Sequence, residues 1–210
     1  MDTLTFILGI LASGIAAVLY DQVTRPRLLI EIDPSGRVRS EDQGLHEFHH
    51  LIVRNRGKYW TFPGRRPAWS AKAQIEVFEA NGASVIPRPI YARWPSLPEP
   101  LTQVVGGGEV VNLIDQAKLL TGLRVDVHSH EDQQIALLIK YDDEDDCHVF
   151  ANESYLYSSS HWQHPEMRIP LGTLKVRVTV FYDRGRNTAE FKLVNGGPKV
   201  EDVQITAWDR

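Results

Sequence analysis

Leu174 to Tyr182 reads LKVRVTVFY, and it alternates apolar and polar side chains without a break as far as Val180. A period of two places Leu174, Val176, Val178 and Val180 on one face of a strand and Lys175, Arg177 and Thr179 on the other. Asp183-Arg184-Gly185-Arg186 supplies turn residues, and Thr188 to Val194 resumes the β-rich pattern, so the pair reads as a hairpin.

Working outward, Arg168-Ile169-Pro170-Leu171-Gly172 forms a Pro/Gly corner before the long strand, as many immunoglobulin-like domains have near their end. Further strands are predicted over Leu28–Asp33, Phe48–Asn55, Ala71–Ala80, Gln134–Tyr141, Cys147–Ala151 and Val203–Trp208. Pro34-Ser35-Gly36 should end the first. Asn81-Gly82 signals a hairpin returning through Val85 and Ile86. Pro87 to Pro100 holds five of the twelve prolines, which restricts it to an extended edge or a loop. Glu109 to Leu120 is ambiguous between strand and short helix, with strand favoured for Val110–Ile114. Eight or nine such strands predict an all-β domain, an immunoglobulin-like β-sandwich. The single cysteine, Cys147, excludes the disulfide of antibody-type domains and fits a reducing compartment.

A different pattern opens the chain. Thr3 to Tyr20 (TLTFILGILASGIAAVLY) runs for eighteen positions without a charge or a proline. At about 1.5 Å per residue it would extend roughly 27 Å, close to the thickness of a bilayer's hydrocarbon core. A cleaved signal peptide would carry a positive leading segment, and the only side-chain charge before the run is that of Asp2. The expected organisation is therefore a transmembrane anchor helix over residues 1–22 and a β-sandwich domain over 23–210. Arg25 and Arg27 flank the helix on its C-terminal side, which predicts a single-pass protein with its domain on the cytoplasmic side. Within the helix Gly9, Ser13 and Ala17 recur every fourth residue and form a stripe of small side chains, suited to packing against a second transmembrane helix from another copy or a partner subunit.

Charge is unevenly divided. From Asp21 to Pro100 twelve Lys and Arg face nine acids, 12 − 9 = +3; from Leu101 to Arg210 eleven face seventeen, 11 − 17 = −6. In the basic half, Arg54, Arg56, Lys58, Arg65 and Arg66 are interleaved with Tyr59, Trp60, Phe62 and Trp69. Cationic and aromatic side chains together suit anionic lipid headgroups or, as the lesser alternative, a nucleotide or single-stranded nucleic acid. Lipid is favoured because an antiparallel second strand returns toward the helix and delivers residues 55–68 near the membrane.

Sequence patterns for chemistry are missing: the chain has no G-x-S-x-G, H-E-x-x-H, C-x-x-C or phosphate-loop motif, and Gly106-Gly107-Gly108 reads as a turn. Cys147 and His148 are adjacent, so on a strand they point to opposite faces and are poorly placed to share a proton. His46, His49 and His50, then His128 and His130, then His161 and His164, form small groups, but no Cys or carboxylate is obliged to complete four ligands, and solvated or hydrogen-bonded histidines are the expectation. The acidic run Asp142 to Asp146 lacks calcium-loop spacing and reads as a solvated hairpin tip. No cofactor is implied, and a metal-assisted hydrolase built on the histidines is a minor alternative.

Through Arg93-Trp94 with Pro98-Glu99-Pro100, Asn152-Glu153-Ser154-Tyr155, and His164-Pro165-Glu166 before Arg168, the chain resembles a group of uncharacterised prokaryotic membrane-anchored β-sandwich proteins. That resemblance implies the architecture and no activity. The function expected is binding, as an accessory or sensor subunit of a larger membrane-associated assembly.

Overall fold

The computed structural model describes residues 3–41, 44–56, 65–106, 109–157, 162–183 and 185–208; within these, the side chains of residues 3–6, 8, 102–112 and 121 are left aside. In chain order the elements are helix α1 (Thr3–Thr24), strands β1 (Leu28–Ser40), β2 (His46–Asn55), β3 (Ala68–Phe78), β4 (Ile90–Tyr91), β5 (Leu101–Gly106) and β6 (Glu109–Ile114), and helix α2 (Gln116–Thr121). There follow β7 (Val125–Val127), β8 (Asp132–Tyr141), β9 (Cys147–Val149), helix α3 (Ser154–Tyr157), β10 (Arg168–Ile169), β11 (Gly172–Tyr182), β12 (Gly185–Asn195) and β13 (Val203–Ala207).

Two antiparallel sheets carry the domain, ordered β1-β2-β8-β9-β10 and β13-β12-β11-β3-β4, with β7 beside the start of β3. The hairpin predicted from LKVRVTVFY is present, running from Gly172 opposite Asn195 to Tyr182 opposite Gly185. Its alternation decides the packing: Leu174, Val176, Val178 and Val180 are buried against Ile75, Val77, Leu51, Val53, Ile135 and Leu138 in the core between the sheets. A smaller apolar layer lies on the other side of β8, where Ala136, Ile139 and Tyr141 meet Phe150, Tyr155, Phe48 and Trp162.

Two expectations are corrected, and one ambiguity is resolved with its favoured strand in place. Pro34-Ser35-Gly36 does not end β1 but forms a bulge within it, with pairing to β2 jumping from Ile32 to Arg37. The Asp33 carboxylate accepts from the Ser35 amide at 2.9 Å, and a Cβ on Gly36 would lie 2.5 Å from the Asp33 Cβ, so only glycine fits there. No strand returns through Val85 and Ile86; the Val85 amide donates to Val77 at 2.9 Å, and the edge of that sheet is taken by β4 inside the proline-rich segment. The ambiguous stretch after Gly108 divides: β6 pairs with β5, and α2 begins after it because the Asp115 carboxylate caps the amides of Ala117 and Lys118.

Among the described residues, no helix is long and apolar enough to cross a membrane. The eighteen-residue run includes residues 3–6 and 8, whose side chains lie outside that description.

Candidate functional site

The end of the sandwich next to α1 gathers the basic segment. Asn55, the last residue of β2, pairs with Leu28 at the start of β1, and the Arg56 amide donates to the Arg27 carbonyl at 3.1 Å. Arg56 therefore leaves the sheet beside the helix C-terminus, as the antiparallel return requires. Lys58, Tyr59 and Trp60 lie outside the described residues.

The four described arginines of this segment differ in what they meet. Arg54 donates to Asp132 at 2.9 Å and Glu31 at 3.2 Å, and Arg56 to Glu31 at 3.4 Å, so both are held on the outer wall of the first sheet. Arg65 and Arg66 instead clasp the helix. Arg65 Nη1 donates to the Arg25 carbonyl at 2.7 Å, the Arg66 amide to the Thr24 carbonyl at 2.8 Å, and Arg66 Nη1 to Asp21 at 3.2 Å. The Arg66 guanidinium also lies 5.3 Å from the centre of the Tyr20 ring. A carbonyl at a helix C-terminus has no partner within the helix, so the domain's donors complete the last turn of α1.

These contacts border a cleft of ≈ 100 Å³ lined by Asp21, Arg25, Arg66, Trp69, Tyr182 and Asp183 together with two prolines. Arg25 bonds Asp21 at 3.0 Å, placing two guanidiniums on one carboxylate. Trp69 is 46% exposed, and its ring meets that of His128 edge-on at 5.6 Å.

Above this junction α1 is bare. Ile7, Ile10, Leu11, Ile15, Val18 and Leu19 are each about half exposed or more. On the small-residue stripe, Ser13 Oγ donates to the Gly9 carbonyl at 2.8 Å, and a Cβ on Gly9 would meet nothing within 4 Å.

The opposite end is acidic. β8 starts at Asp132 beside Arg54 and reaches Tyr141 beside His46, so residues 142–146 lie about 30 Å from the basic end at roughly 3.3 Å per residue of strand. They are more than a solvated tip. Lys140 is wholly buried between the sheets, and its ammonium donates to the carbonyls of Glu144 at 2.5 Å, Asp145 at 3.0 Å and Gly197 at 2.8 Å, and to Asn195 Oδ1 at 3.2 Å. Burial still lowers its pKa. Lys199 pairs with Asp142 and Asp143, and Arg168 with Asp146. Sequence reasoning passed over Lys140, although a lone lysine closing an apolar strand (QIALLIKY) is a signal for a buried cation with a purpose-built cage.

Beside Lys140, Glu47 and His49 also face inward, with Glu47 Oε1 3.3 Å from His49 Nε2. Arg37 and Arg39 lie 3.7 and 3.2 Å from the same carboxylate. Burial, with the Arg37 charge beside it, pushes the His49 imidazole down to about 3. Among the described residues no three His, Cys, Asp or Glu side chains converge as a metal site. Cys147 is buried, and that burial pushes its thiol up to about 12, far from a thiolate nucleophile.

The motifs behind the resemblance come together in space. Buried Arg93 donates to Asn152 at 3.0 Å and to the Leu97 carbonyl at 2.9 Å, and its guanidinium lies 5.5 Å from the Tyr155 ring centre. Tyr155 in turn donates to Glu99 at 3.4 Å, and His164 caps the Glu166 amide at 3.1 Å. The bonds of Arg93 and Glu99 tie the proline-rich segment to Asn152 and Tyr155, a structural role for these four residues. No family model, curated protein or solved structure matches the chain.

Proposed function

We propose that this protein is a single-pass membrane-anchored β-sandwich that works by binding, as an accessory or sensor subunit of a larger membrane-associated assembly. One observation carries the anchor: α1 exposes apolar side chains around its axis, and among the described residues its contacts with the sandwich fall on Tyr20 to Thr24. A helix with no polar face is stable in a protein core or in lipid. The core between the sheets is already filled, which leaves lipid or another helix.

The charge distribution supports the same reading. Anionic headgroups attract basic residues at about 1 kcal/mol each near the surface, and the arginines sit by the helix while the acidic run is held at the far end. The domain belongs on the cytoplasmic side by the positions of Arg25 and Arg27. We also read the sandwich as immunoglobulin-like. Taking β1, β2, β3, β8, β11 and β12 as strands A, B, C, E, F and G gives the neighbours A-B-E in one sheet and G-F-C in the other. β9 departs from that order, because it follows β8 in the chain where the fourth strand of that sheet would precede it.

Alkaline carbonate extraction followed by flotation on vesicles tests the anchor. The full chain should float with lipid. Recovery in the soluble fraction would remove the basis for the proposal.

A further inference from the structure

The lining of the cleft at the foot of α1 carries both signs of charge. Arg25 and Arg66 are joined through Asp21, so that this part of the lining holds two positive charges and one negative. Asp183 stands in the same lining, exposed, with no side-chain partner among the described residues. A simple anion would meet both signs of charge and gain little. A group with its own negative and positive ends would meet both favourably.

We infer that this cleft binds the headgroup of an aminophospholipid, with phosphate on the Arg25 and Arg66 guanidiniums and the primary ammonium on Asp183. The inference rests on the anchored reading of α1. Each guanidinium has five N–H donors, and the bonds to Asp21 engage Arg25 through Nε and Arg66 through Nη1, leaving outer donors for phosphate oxygens. Trp69, half exposed in the same lining, adds an aromatic ring that can meet the ammonium. The height is right as well. Asp21 follows directly after the apolar run ends at Tyr20, so the cleft opens where a bilayer passes from hydrocarbon to headgroups.

The test uses the full chain in a mild non-ionic detergent, mixed with equal amounts of phosphatidylethanolamine, phosphatidylcholine and phosphatidylglycerol, with retained lipid counted by native mass spectrometry. One phosphatidylethanolamine per chain should be retained at least threefold over either rival. Phosphatidylcholine is the sharp comparison, since its trimethylated nitrogen has no N–H to donate to Asp183. Asp183→Asn changes an exposed side chain and should erase that preference without touching the fold; Arg66→Ala should lower retention of all three. Equal retention of the three lipids, a preference for phosphatidylglycerol, or a preference that survives Asp183→Asn overturns the inference. Displacement by free phosphoethanolamine at the same molarity would assign the cleft to a soluble amine phosphate and overturn the lipid assignment. Flotation separates the two levels: a chain that fails to float sinks the anchor and this site together, whereas one that floats without headgroup preference sinks this site alone.

Discussion

Arg66 Nη1 lies 3.2 Å from Asp21 Oδ1, and through this pair the segment before β3 is fastened to the last turn of α1. The two side chains are about a third exposed, so the pair is worth roughly 0.5–1 kcal/mol. Asp21→Asn should therefore loosen the clasp without unfolding the sandwich. Limited trypsin digestion of the full chain in detergent should cut after Arg65 about two- to fivefold faster, and an unchanged rate would show that the backbone bond from Arg66 to Thr24 suffices.

The strands were legible where alternation is strict. LKVRVTVFY shows its buried face in its letters, and the β11–β12 hairpin follows it. Boundaries failed where a side chain rather than a propensity decides them: Pro34-Ser35-Gly36 reads as a stop, yet the Asp33 carboxylate turns it into a bulge and β1 runs on to Ser40. The junction was legible in part, because strand direction alone brings Asn55 and Arg56 back beside the helix. That Arg54 and Arg56 would be held by Glu31 and Asp132 was not, since those contacts join strands distant in sequence. The cage around Lys140 was hidden for the same reason, being assembled from backbone carbonyls of two loops some fifty residues apart.

Lys140 should be the most sensitive polar position in the domain. Lys140→Met keeps the chain length and the apolar stem but leaves the carbonyls of Glu144 and Gly197 without their donor, whereas the Asp145 carbonyl keeps its bond from Asn195 Nδ2. Orphaned buried acceptors cost about 1–3 kcal/mol each where water cannot reach them, and a total loss on the order of 3 kcal/mol is expected. The urea midpoint of the full chain reads it. Asp143→Asn, at the exposed tip, should move that midpoint little; equal effects of the two changes would refute the cage as a source of stability.

Acid should weaken the fold before the carboxylates titrate. Above pH 6.5 His49 is neutral both folded and unfolded, and it contributes no pH dependence. Below that value the unfolded chain takes up a proton that the buried ring refuses until about pH 3, so stability falls as pH falls. The slope is at most about 1.4 kcal/mol per pH unit, or about 2 kcal/mol between pH 6.5 and 5. His50 and His148, lowered by their own burial, add to it in the same direction. His49→Gln should make the loss between pH 7 and pH 5 visibly shallower in urea titrations, and an unaltered slope would place the proton uptake elsewhere.

The orientation proposed from Arg25 and Arg27 has a direct readout. Protease added to intact cells should leave the sandwich whole, and digestion should require lysis. Cleavage without lysis would reverse the topology and make the domain an extracytoplasmic binding module.

The small-residue stripe gives the last expectation. Gly9, Ser13 and Ala17 lie on one side of α1, and the Ser13 hydroxyl already bonds the Gly9 carbonyl, so no interhelical hydrogen bond is needed to satisfy it. What the stripe offers a second helix is close approach, since association in lipid depends on backbone packing more than on water exclusion. Among the described residues, nothing beyond the helix's own neighbouring backbone lies within 4 Å of a Cβ built on Gly9, so a side chain there has open space to enter. The pair Gly9→Leu and Ser13→Leu keeps the segment apolar enough to insert and blocks the approach sterically. Crosslinking or co-purification in mild detergent should then fall severalfold relative to the original sequence, whether the partner is a second copy or another subunit, while flotation with vesicles stays the same. Association that persists through both substitutions would leave α1 as a tether alone.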